Sequence, residues 1–293
     1  MKATYRIVWA LAGLMVLPAS HAGSSIEESR AMPADGLLQV ENMAGSIKIE
    51  AWDRNEVRIS GDLGDDVEKL EILESTTGLE VRVRNRKNRR NVDESHLELQ
   101  IPVSASVEAE SVSADISVEG TRGASLVVNS VSGDQTIKAD TDRLESDSVS
   151  GDVSFSGHAP RASFETVSGE IEVHGIEGEI RVSTVSGDVE LTAAKVNRGR
   201  FETVSGDLDA ELDVTDGGRL NVQSMSGDVR LVLPAAQQAE FSAQTYSGDI
   251  RSDFGSVSES RHGPSKTFAH REGNNGASIR LESFSGDIKI RKQ

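Results

Sequence analysis

The 293-residue chain carries 31 Lys and Arg against 48 Asp and Glu, a formal net charge of −17, and it has no cysteine. That balance excludes general DNA or RNA binding, which depends on cationic footprints, and the lack of thiols excludes a disulfide framework. Aromatic residues make up only 4% of the chain, so stacking platforms for bases or sugars are scarce.

Residues 1–22 open with Lys2 and Arg6, continue through an apolar run from Ile7 to Leu17, and close on Pro18 and Ser20-His21-Ala22. The pattern predicts a secretory signal peptide cleaved near Ala22, and so a periplasmic or secreted mature chain. The run is shorter than the ~20 residues a membrane span needs. Residues 23–36 are polar and read as a flexible lead-in. In 37–108 the runs Leu38-Gln39-Val40-Glu41, Ile47 to Trp52, Val67 to Val83 and Leu97 to Val107 alternate apolar and polar residues, the mark of half-buried strands. This section reads as a β-rich N-terminal cap, since the end of a stacked array needs its strand edges covered. Inside it lies the basic stretch Arg82 to Arg90. Its Arg84, Arg86, Lys87, Arg89 and Arg90 are either a solvated hairpin tip or a contact for an anionic ligand such as a headgroup, a lipopolysaccharide phosphate or an acidic partner.

Residues 109–293 form a repeat array anchored on Gly133, Gly151, Gly169, Gly187, Gly206, Gly227, Gly248 and Gly286, with Ala114 in a degenerate first copy. Anchors up to Gly248 are 18 to 21 residues apart, and the final step is 38. Around each anchor the columns are uniform. Ser stands one residue before, an apolar residue two before, and Ser or Thr three before. One residue after stands Asp115, Asp134, Asp152, Glu170, Asp188, Asp207, Asp228, Asp249 or Asp287. Alternating flanks such as Ile171-Glu172-Val173 predict strand, Ser-Gly-Asp bend, strand, turn. A unit of that length cannot bury its own apolar face, and stacking identical units in parallel about 4.8 Å apart does. The expected fold is all-β, a single-chain parallel β-solenoid of 18–21-residue rungs. Residues 251–277 break the period and read as an irregular rung or a segment folded over the side of the stack.

The opening Val40-Glu41-Asn42 through Ala51-Trp52-Asp53, the Leu99-Gln100-Ile101-Pro102 step and the serial Val-Ser-Gly-Asp bends resemble the bacterial DUF4097 family, named for “putative adhesins” with β-strand repeats. The resemblance covers nearly the whole mature chain. It implies an envelope β-solenoid.

No catalytic constellation emerges. A nucleophile works with one base beside it, whereas the Ser and Thr columns repeat one residue in a ladder. The acidic column invites a divalent cation, but one carboxylate per rung supplies too few ligands, and an Asp at a turn has a structural use. His262 and His270 share the irregular segment with Asp253, Glu259 and Glu272, which leaves a weak metal site open there. No cofactor, metal or catalytic residue is therefore assigned. The chain reads as a non-catalytic envelope interaction protein binding a protein, glycan or surface polymer, with end-to-end self-association open to it through unpaired terminal rungs. The alternatives are a structural or envelope-stress role without adhesion, and a polysaccharide-acting β-helix enzyme.

Overall fold

The computed structural model describes residues 24–86, 92–259, 265–274 and 276–293. Among these the chain is all-β, without a helix, and most strand pairs are parallel. The alternation read from the sequence sets which side chains face inward. Gln135–Asp140 buries Gln135, Ile137 and Ala139 and turns Thr136, Lys138 and Asp140 outward. Each repeat contributes one strand before its bend and one after, and these build two ladders.

In the first ladder Leu126 pairs with Leu144, Leu144 with Ala162 and Ala162 with Ile180. In the second, Gln135 pairs with Val153, Val153 with Ile171 and Ile171 with Val189. Equivalent repeat positions thus lie side by side. The two ladders face each other across a continuous core, where Phe155 and Phe164 meet with ring centroids 5.9 Å apart. Gln135 stands where the other repeats have an apolar residue. Its amide donates to the Asp147 carbonyl at 2.7 Å and accepts from the Ser146 hydroxyl at 2.6 Å, so this buried polar group is satisfied across the core.

Both ends depart from sequence order. Leu37–Trp52 runs in register with Ser106–Glu119, Ile47 opposite Ile116, and on its other side pairs in parallel with Gly78–Asn85 and Ser95–Pro102. Antiparallel strands then cover this end: Val67–Glu74 on Gly78–Asn85, and Glu56–Leu63 on Ser95–Pro102. Ser24–Ala31, polar in sequence and expected to be a lead-in, pairs along the whole of Glu56–Leu63. Its Ile26 packs against the core, which the polar composition around it concealed.

At the other end the strands Ala277–Ser285 and Ile288–Lys292 do not follow Ala239–Ser247 outward, as even repetition would have it. They lie between it and the preceding unit. Val222 pairs with Leu281, and Leu281 with Ala243. Likewise Val229 pairs with Ile288, and Ile288 with Ile250. The segment between makes this possible: Lys266–Glu272 returns antiparallel on Ala239–Ser247 and carries the chain back toward the open slot.

Candidate functional site

The bends align at one edge of the stack, and their side chains divide the work. In the units from Gly133 to Gly206 a buried hydroxyl three residues before the anchor accepts the anchor's N–H: Ser130 from Gly133, Ser148 from Gly151, Thr166 from Gly169, Thr184 from Gly187 and Thr203 from Gly206, at 2.8–3.0 Å. Further on, Gly227 and Gly286 donate instead to the Ser285 and Ser247 carbonyls. One residue before, each Ser grips the preceding rung. Ser150 donates both its N–H, at 2.9 Å, and its hydroxyl, at 3.2 Å, to the Val131 carbonyl, and Ser168 and Ser186 repeat this on Val149 and Val167.

The anchor is Gly because the rungs approach too closely for a side chain. A Cβ on Gly169 would lie 2.0 Å from the Gly151 carbonyl oxygen, and one on Gly187 would lie 1.9 Å from that of Gly169. A sharp bend alone would not require this, and neither glycine adopts a left-handed conformation.

One residue after the anchor, the carboxylate accepts a backbone N–H from the next rung. Asp115 receives Asp134 at 3.0 Å, Asp134 receives Asp152 at 3.0 Å, Asp152 receives Glu170 at 2.9 Å, and Asp188 receives Asp207 at 2.8 Å. The row continues from Asp207 to Asp228, Asp287 and Asp249. The acidic column is therefore a row of inter-rung hydrogen bonds. Among the described residues no group of three or more His, Cys, Asp or Glu is placed to hold a metal ion.

Towards one end these acids also meet cations. Lys289 lies 3.1 Å from Asp228, whose carboxyl is held below its ordinary value first by the Asp287 N–H and then by this lysine. Lys266 pairs with Asp249 and lowers it too. Among the described residues Asp115, Asp134, Asp152, Glu170, Asp188 and Asp207 have no ion-pair partner.

One column has no such use. The apolar residue two before the anchor points to solvent in every unit. Val112, Val131, Val149, Val167, Val185 and Val204 are 44–46% exposed, and Met225, Tyr246 and Phe284 are 51–56% exposed. Met43 continues the row on Leu37–Trp52, since the Ser113 hydroxyl bonds its carbonyl. Phe284 lies between Met225 and Tyr246 in the stack, and its ring stacks on Tyr246 at 5.3 Å with planes 5° apart. At the usual strand spacing the ten residues make an apolar ridge roughly 40 Å long. Contiguous exposed apolar surface is uncommon on a folded protein. Its signal was present in the repeat. Period-2 alternation puts Phe164 and Thr166 on the buried face, so Val167 must face out.

The basic stretch is partly spent. Arg82 lies 3.2 Å from Glu41 and also pairs with Glu80. Arg84 lies 2.7 Å from Glu71, which is held down to about 2 by Lys69 and Arg84. The Arg86 N–H donates to the Asp66 carbonyl, while Lys87, Arg89 and Arg90 lie outside the described residues. The described histidines lie on separate partners: His96 bonds Ser46, the His158 backbone N–H donates to Asp140, His174 pairs with Glu172 and His270 with Glu272, and His262 lies outside the described residues.

A family model described as Toastrack DUF4097 matches residues 37–291. Among solved structures, the chain is similar to a “putative adhesin” of Bacteroides fragilis NCTC 9343, at 13% identity and a TM-score of 0.49, covering 91% of this chain and 97% of that one. It is similar to a “putative lipid binding protein” of Parabacteroides distasonis ATCC 8503, at 10% identity and a TM-score of 0.49, covering 92% and 98%. A “putative adhesin” of Parabacteroides merdae ATCC 43184 matches at 13% identity and a TM-score of 0.37, covering 92% and 96%. No curated protein matches the chain.

Proposed function

The chain belongs to the Toastrack DUF4097 family, and from that premise we propose that it is a non-catalytic envelope interaction protein whose binding surface is the apolar ridge at the bends. In this reading residues 1–22 direct export, and the mature chain is a β-solenoid with an N-terminal section at 37–108 and an array at 109–293. Arg86, Lys87, Arg89 and Arg90 are a second proposed contact, for an anionic group, in which Arg84 takes part only by leaving Glu71.

One observation carries the reading. The other polar columns of the bend use their side chains in hydrogen bonds within the stack, whereas among the described residues the exposed side chains from Val112 to Tyr246 make none. β-propensity alone would be served by exposed Thr, without the desolvation advantage an apolar row offers to a partner.

A photo-crosslinking residue placed at Val149 or Val167, and for comparison at His158 or Asp216 on the far turns, tests this in intact producing cells. The expected result is one recurrent adduct from the ridge positions and none from the turns. Equal labelling at both, or no adduct at either, would sink the reading in favour of a structural role without a partner.

A further inference from the structure

The ridge is flanked by a carboxylate at every bend on its anchor side and by carboxylates at some of the rungs on the other, and this identifies the chemistry of what it can hold. Within the strand before each bend, the residue two before the ridge position shares its outward face. Along the valine rungs there stand Glu110, Asp147 and Glu165, which have no ion-pair partner among the described residues, Glu202, which pairs with Arg200, and the uncharged Asn129 and Ser183. On the other side stand Asp115, Asp152 and Glu170, each with one oxygen at most engaged by a backbone N–H. Negative charge is crowded here: burial and the neighbouring Glu165 and Glu145 push the Asp147 carboxyl above its ordinary value. Toward Met225, Phe284 and Tyr246 the charge is offset by Lys289 and Lys266 while the apolar side chains grow larger.

Resting on the ridge being a binding surface, we infer that its occupant is a cationic amphipathic helix of a partner protein, with its apolar stripe on the valines and Lys or Arg on each flank. A helix of about 20 residues is 30 Å long. The rungs from Val112 to Val204 span roughly 24 Å at the usual strand spacing. The helical pitch of about 5.4 Å is close enough to that spacing for one apolar side chain per turn to meet successive rungs. A second copy laid ridge to ridge would face carboxylates with carboxylates, and an anionic lipid surface meets the same repulsion.

The test uses the mature chain and a synthetic peptide of about 20 residues, with a leucine stripe flanked by lysines and a fluorescent label. Binding is measured for the parent, for Val131→Thr/Val149→Thr/Val167→Thr/Val185→Thr, and for Glu110→Gln/Asp147→Asn/Glu165→Gln. Unchanged circular dichroism, with melting no lower than the parent's, confirms that both variants fold. The valine variant is expected to lose at least about tenfold in affinity, and the carboxylate variant to lose affinity and most of its salt dependence. Three results would overturn the inference: no binding by the parent; equal binding of a leucine–glutamate peptide; or tighter association with phosphatidylglycerol vesicles or with a second copy in sedimentation. If the peptide fails while ridge-specific crosslinking in cells persists, the ridge remains the binding surface and only the cationic helix is withdrawn. If both fail, the two proposals fall together.

Discussion

Glycine at a bend and glycine at a turn do different things in this chain, and substitution separates them. Gly187 faces the Gly169 carbonyl oxygen, where a Cβ would sit 1.9 Å away against backbone that cannot yield without shifting a rung. Gly187→Ala is expected to cost at least about 3 kcal/mol. Gly217 has φ +73°, and a methyl group there would meet nothing within 4 Å. Gly217→Ala should cost only about 1–2 kcal/mol, the penalty of a left-handed conformation. Denaturant melts of the two variants decide it, and similar losses would remove the close-approach argument. A second residue-scale expectation concerns Glu170. It donates its N–H to Asp152, but no bond returns from Asp188 to its own longer side chain, so the carboxylate row skips that step. Glu170→Asp should complete the row and stabilise by about 1 kcal/mol, with Glu170→Gln as the variant that leaves melting unchanged. The columns themselves were plain in the sequence. Their partners were not, because each bond runs to a residue one rung away, and a repeat pattern reveals equivalence but not which atoms of equivalent residues meet.

At the scale of strands, two carboxylates should respond to pH with opposite sign. Asp147, on Leu144–Ser148, is raised from its ordinary 3.8 by burial and then by Glu165 and Glu145. The folded chain therefore holds this proton more tightly than the unfolded one, and stability is lost as pH rises from 3.8 through the raised value. Asp147→Asn should melt higher than the parent at pH 7, by about a degree or two, with the difference vanishing below pH 3.8. Glu71 links Val67–Glu74 to Gly78–Asn85 through Arg84 and is lowered from 4.5 to about 2. Its contribution is full above 4.5 and fades as pH falls toward 2, so Glu71→Gln should cost stability at pH 7 and nothing at the acid limit. Melting curves across that range check both signs. Strand positions such as Ile171–His174 followed directly from alternation. Ser24–Ala31 did not, because its stability comes from pairing with Glu56–Leu63 and from the single inward Ile26.

For the molecule as a whole, the order of units in the stack is the property least visible in the sequence. The spacing of 38 residues at the last step announced an irregularity. Nothing local could say that Leu281 would lie between Val222 and Ala243, because the repeat makes the competing neighbours nearly identical. The order has a measurable signature. Phe241 packs with Phe254, Phe268 and His270 at the outer end of the stack. Phe241→Ala should remove about 3–5 kcal/mol locally. Hydrogen exchange should then speed up in 239–252 and 266–272 while 277–292 stays protected on 219–233. Loss of protection in 277–292 ahead of 239–252 would mean the units are stacked in chain order instead.

The interleaved strands also impose a timetable on synthesis. Ala239–Ser247 is made before Ala277–Ser285, yet its native seat exists only once the later strand is in place. Its own hydroxyl, aromatic and Ser-Gly-Asp positions match those of the strand it must wait for. The nascent chain can therefore close early on the wrong neighbour, and reaching the native arrangement then requires the later segment to displace the earlier one. Assembly at this end becomes a contest between two near-copies for one berth, with the excursion through Phe254 and Phe268 tipping the result by anchoring the earlier copy from its far side.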